Sequence, residues 1–135
     1  MRALFALVTL LTAGLVFAEP NVGRANFTTG VENFEPIDEL VSPISDTHKR
    51  VFFFSDLRDS AGHQIAHRWY YEETLMAELV FNPAGPRWRV KSYKTMLPIW
   101  HGPWRVDVVD LDNNDEVLGS WSFDYVDAEL FPEAN

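Results

Sequence analysis

The chain has 135 residues, 47% of them apolar, 23% charged and 14% aromatic, with five Trp and no Cys. That length supports one domain, since two independent cores would each be too small. The formal net charge of −9 argues against nucleic acid as a ligand, because a phosphate backbone is met by clustered Lys and Arg. The absence of Cys removes zinc–thiolate sites, thiol catalysis and disulfide frameworks.

The first predicted element is an export signal. Arg2 is a short positive n-region, and Ala3 to Phe17 form an apolar stretch broken only by Thr9, Thr12 and Gly14. Val16 and Ala18 are the small residues that a signal peptidase accepts, so residues 1–18 are expected to be removed, leaving Glu19-Pro20 at the new terminus. The apolar run falls short of the roughly 20 residues of a membrane span, which disfavours an uncleaved anchor. The expectation is a periplasmic or secreted protein with no span after cleavage. Loss of Arg2 makes the net charge −10, distributed as −4 over residues 19–49, +3 over 50–105 and −9 over 106–135.

Beyond Arg24 the apolar period is two. Ala25, Phe27, Thr29 and Val31 predict a half-buried first strand, ended by Glu35-Pro36, and a polar connection containing Pro43 runs to His48. Arg50 to Leu57 holds the run Val51-Phe52-Phe53-Phe54, which suits a central strand covered on both faces. After the turn Asp59-Ser60-Ala61-Gly62, Ile65, His67, Trp69 and Tyr71 share one face of the next strand. Leu75, Ala77, Leu79 and Phe81 mark another, closed by Asn82-Pro83-Ala84-Gly85-Pro86. In the last three strands Trp88, Val90 and Ser92 alternate with Arg87, Arg89 and Lys91; Trp104, Val106 and Val108 alternate with Arg105, Asp107 and Val109; and Trp121, Phe123 and Tyr125 follow the turn Asp112-Asn113-Asn114-Asp115. Trp69, Trp88 and Trp104 are expected in the core.

About seven short strands with turn signals every 8–12 residues or so predict an all-β fold, an immunoglobulin-like antiparallel β-sandwich, with a small closed barrel as the alternative. The domain is expected over residues 19–126, followed by a loose acidic tail over 127–135.

Several pieces carry a family resemblance. Phe52-Phe53-Phe54-Ser55 is followed by Gly62, His67-Arg68-Trp69-Tyr70-Tyr71, Arg87-Trp88-Arg89-Val90, Ser92-Tyr93-Lys94, Gly102-Pro103-Trp104-Arg105-Val106 and Val117-Leu118. In order and spacing they resemble the bacterial family known as domain of unknown function 2914, over about residues 24–126. The resemblance implies an exported or membrane-tethered protein of Gram-negative bacteria. It implies no activity and no catalytic residue.

His63 and His67 have an H-x-x-x-H spacing, but on a strand four residues span about 13 Å, too far for two imidazoles to share one zinc readily. His67, between Ile65 and Trp69, is expected to be a hydrogen-bonded, partly buried core histidine. Asp110 to Glu116 invites a calcium reading, yet Asp115 stands where an EF-hand loop has Gly and Trp121 where it has its bidentate Glu. A solvated hairpin tip is expected instead. No metal or cofactor is expected.

Arg87, Arg89 and Lys91 point to one face, and Arg68 and Arg105 stand opposite their Trp neighbours. Such a row can bind an anionic glycan or lipid, in which case at least two of its three members should lack a paired acid. The alternative is ion pairing with adjacent strands or with the acidic C-terminal segment. Tyr70, Tyr93, Trp100 and Phe131 fall outside the core alternation. Trp100, in the loop Trp100-His101-Gly102-Pro103, is either an exposed indole that contacts a sugar or protein partner, or a cap on the end of the sandwich.

The sequence lacks G-x-S-x-G, H-E-x-x-H, G-x-x-x-x-G-K-[ST] and G-x-G-x-x-G. The leading expectation is therefore a non-catalytic binding or interaction module of the cell envelope, its partner an envelope protein or anionic glycan. A carbohydrate- or envelope-polymer-binding module and a small periplasmic hydrolase are the alternatives.

Overall fold

A computed structural model describes residue 6 and residues 18–135; the predicted signal peptide lies, but for two residues, outside them. In chain order the strands are β1 (Asn21–Thr28), β2 (Val31–Glu32), β3 (Glu35–Pro36), β4 (Ile44–Ser45), β5 (Arg50–Arg58), β6 (Ile65–Tyr71), β7 (Thr74–Phe81), β8 (Arg87–Thr95), β9 (Gly102–Asp110) and β10 (Glu116–Val126). Among the described residues they form a three-stranded sheet in the order β1-β5-β8, a five-stranded sheet in the order β4-β10-β9-β6-β7, and the separate hairpin β2-β3. Pairing is antiparallel except between β4 and β10. Both larger sheets are open, so the fold is all-β and sandwich-like rather than a closed barrel.

Alternation explains the core. Phe53, Leu57 and Val90 of the three-stranded sheet meet Trp69, Trp104, Val106, Phe123 and Tyr125 of the five-stranded sheet in one buried cluster. Edge-on rings link the layers, with Phe27 and Phe123 centroids 4.7 Å apart and Phe53 and His67 4.9 Å apart. Such pairs add to the area they bury. In β10 the ring of Trp121 lies where a side chain at position 119 would stand, since a Cβ there would meet it at 2.4 Å. Gly119 is what permits this close approach.

Three expectations need correction. First, β1 stops at Thr28, because Asp38 captures the Thr28 hydroxyl and the Thr29 amide, each at 2.7 Å. Val31 instead begins the β2-β3 hairpin. Second, Trp88 has the predicted facing, shared with the buried Val90 and Ser92, but is 39% exposed. It stands near the start of β8, an edge strand. Third, the segment 127–135 is not a loose tail. The Asn135 amide donates to the Pro43 carbonyl at 3.2 Å, its carbonyl accepts from Ser45 at 2.6 Å, and its side chain donates to Val41.

Candidate functional site

His67 is fully buried in the seam between the sheets. Its Nε2 and Nδ1 lie 2.7 Å from the Ser55 and Ser92 hydroxyls respectively, and Ser92 also accepts from Trp69 Nε1 at 3.0 Å. β6 is thereby tied to β5 and β8 across the core. Burial lowers the imidazole pKa from 6.5 to about 3, so the ring is neutral near neutrality. Ser55 and His67 have the separation of a nucleophile–base pair, but both have zero exposure and the imidazole is a poor base. This pair builds the core. His63 turns to another partner, Asp110, at 3.0 Å.

The acids of the β9–β10 turn bond within the turn and to β6 and the segment before it. Asp110 accepts from the Asp112 amide and Asp112 from the Gln64 amide. Asn114 and Asp115 take positive φ values of 53° and 56°, conformations that Asn and Asp tolerate better than most residues.

The predicted cations are mostly paired. Arg87 meets the buried Asp56 at 3.2 Å and Arg89 meets Glu35 at 2.6 Å. Two of the three members of the row thus have acids, contrary to what the ligand reading requires. Their partners come from β5 and β3, not from the C-terminal segment. Arg68 pairs with Glu78 at 2.7 Å and Asp115 at 3.3 Å, and Arg105 pairs with Glu73 and with Asp107 at 2.9 Å. Lys91 alone of the row has no carboxylate partner among the described residues. Trp100 is a half-buried cap: its carbonyl accepts from Trp104 Nε1 at 2.9 Å, its ring meets Trp104 edge-on, and Lys94 Nζ lies 4.4 Å from the ring centroid.

The residues that the sequence reading missed lie in the β2-β3 hairpin, which straps the outer face of the three-stranded sheet. Glu35 of the strap accepts from Arg24 and Arg89, which hold its carboxyl below the usual range. Beneath it, Asp56 receives Arg58 at 2.9 Å as well as Arg87. Four guanidiniums thus share two carboxylates. The strap turns at Asn33-Phe34, both with positive φ, 51° and 62°. Asn suits that conformation, whereas a bulky ring there costs on the order of 1 kcal/mol or more. Phe34 is nonetheless 67% exposed.

Under the strap lies a cleft of about 500 Å³ walled by Val31, Phe34, Phe54, Phe81 and Val90, with Asn33, Arg89 and Lys91 as its polar groups. Its lining residues come from the β2-β3 hairpin, from β5 and β8 of the three-stranded sheet, and from β7, an edge strand of the other sheet. In the register of β5 and β8, Lys91 stands opposite Phe54 and Tyr93 opposite Phe52, so an aromatic and cationic strip continues beyond the cleft. A Val-x-Asn-Phe-x-Pro pattern is the sequence signal of this hairpin, whereas Glu35-Pro36 taken alone reads as a strand break.

A second concavity, about 460 Å³, lies on the outer face of the five-stranded sheet, lined by Tyr70, Glu72, Glu73, Arg105, Ser122 and Asp124 among others. The Arg105 guanidinium lies 4.4 Å from the Tyr70 ring centroid. Glu72 and Glu73 form the β6–β7 turn, with φ of 47° and 69°, where Asn-Gly would be the relaxed choice.

No curated protein matches the chain. Residues 62–125 match a family described as a protein of unknown function (DUF2914). The match contains β6 to β9 and nearly all of β10, and hence Phe81, Arg89, Val90 and Lys91 of the cleft, but not the strap or the Phe52-Phe53-Phe54-Ser55 piece. Over those residues the chain resembles that family, whose description assigns no function.

Proposed function

We propose that the protein is an exported, non-catalytic binding module of the bacterial cell envelope, and that the strap cleft is its binding site. Phe34 carries this reading: a large apolar ring held in a strained backbone conformation, mostly in water, over an apolar cleft with cations at its rim. Strain retained where folding gains little from it is a pointer to binding. The finer fold reading, an immunoglobulin-like sandwich used as an adaptor, accompanies this proposal by fold analogy. A second reading, carbohydrate or envelope-polymer binding, draws support from the groove beside Tyr70 and Arg105, where Glu72, Glu73, Asp124 and Ser122 supply acceptors for sugar hydroxyls.

Export predicts a chain that begins at Glu19, recovered from the periplasm by osmotic shock and weighed by mass spectrometry. A chain in the membrane fraction that retains Met1 contradicts it.

The cleft is tested with Phe34→Gly. Gly relieves the positive φ, so the variant should unfold with a free energy up to about 1 kcal/mol above wild type. Immobilised wild type should retain material from the aqueous or the organic fraction of an envelope extract that Phe34→Gly does not retain. Equal retention by both removes the cleft from the function.

A further inference from the structure

We infer that the strap cleft binds one monomeric long-chain carboxylate, its alkyl chain along the apolar wall and its head group at Lys91, the member of the row without a carboxylate partner among the described residues. This inference rests on the binding-module reading and names its ligand class.

Three features of the cleft lead to that chemistry. Its volume, about 500 Å³, lies within the range of small-molecule sites, roughly 300–1,000 Å³. Its wall is formed mainly by the apolar side chains of Val31, Phe34, Phe54, Phe81 and Val90, which suits an alkyl chain. Its cations lie at one part of the wall: Lys91 has no carboxylate partner among the described residues, and Arg89 divides its guanidinium between Glu35 and the face of Phe34, 5.5 Å from the ring centroid.

The same features weigh against other occupants. A sugar needs many hydrogen-bond partners, and the cleft offers only Asn33, Arg89 and Lys91 as polar side chains. An anionic bilayer is repelled by an exported chain that carries −10 once Arg2 is lost, whereas a single monoanion in the cleft senses chiefly the nearby cations.

Calorimetric titration of the full chain with dodecanoate, below its micelle concentration and at low salt, tests the inference, with dodecan-1-ol as the uncharged control. Dodecanoate should bind saturably at one per chain, and dodecanol about tenfold more weakly, the cost of one charge-assisted contact. Lys91→Gln should weaken dodecanoate by about the same factor and leave dodecanol unchanged. Phe34→Gly should weaken both. No saturable dodecanoate binding, or unchanged affinity in both variants, overturns the inference. So does Lys91-dependent co-sedimentation with phosphatidylglycerol vesicles without binding of monomeric dodecanoate, which assigns the cations to a bilayer surface. If Phe34→Gly still abolishes retention of envelope material while dodecanoate does not bind, the carboxylate class falls and the binding module stands. If Phe34→Gly changes neither measurement, both fall.

Discussion

Trp104→Ala should lower the unfolding free energy by about 3–5 kcal/mol, read from urea denaturation followed by circular dichroism. Trp104 is 1% exposed. Its ring lies among Tyr71 at 5.1 Å, Trp100 at 6.1 Å and Phe123 at 6.3 Å between centroids. Ala leaves a cavity there and strips the Trp100 carbonyl of its indole donor, so transfer, cavity and hydrogen-bond losses accumulate. Trp88→Ala removes the same atoms from a site open to water and should cost about 1 kcal/mol. Equal losses at the two positions would show that the assignment of core and edge is wrong.

Acidification from pH 6.5 toward pH 3 should destabilise the protein by roughly 1 kcal/mol per pH unit through His67 alone. The folded ring has a pKa of about 3, lowered by burial, and the unfolded ring one near 6.5. Between these values the unfolded chain binds a proton that the folded chain does not, so stability falls as pH falls. It is fully present above pH 6.5. Asp38 is held below its usual range by hydrogen bonds from Thr29 and Thr28, which outweigh its desolvation, and Asp46 by the Ala128 amide and His101. Their stabilisation is lost only below about pH 4, where unfolded carboxylates take up protons. The segment from pH 6.5 to 4.5 therefore separates the imidazole from these carboxylates, and the variant separates it from the other three histidines. His67→Gln should flatten the dependence of the urea midpoint on pH in that segment, whatever it does to stability at pH 7. An unchanged slope would mean that His67 is not the group that resists protonation.

The strands were legible because period-two alternation is a local property. Val51 to Leu57, Ile65 to Tyr71 and Trp104 to Val108 each declare their buried face without reference to any other strand. The inward direction of His67 was legible for the same reason. Its complete burial was not, because Ser55 and Ser92 come from strands 12 residues before it and 25 after it. The two-residue strand β4 was hidden in a polar connection, since its pairing with β10 leaves no periodicity in so short a segment.

Composition and alternation by themselves determined an all-β chain with one core, the inward faces of its long strands and the turns that separate them. Tertiary structure decided which of those residues matter at the surface. Alternation put Arg87 and Arg89 outward, but only the register of β5 and β8 and the folding of β2-β3 over them brought Asp56 and Glu35 within reach. The same alternation gave Trp88 an inward direction without saying that an edge strand leaves it uncovered. Phe34 had no periodic signature, because its position follows from Asp38 ending β1 and sending the chain back across the sheet. Facing depends on neighbours one and two residues away. Burial, ion pairing and the cleft depend on partners brought together by closure of loops of ten residues and more, which a local pattern does not encode.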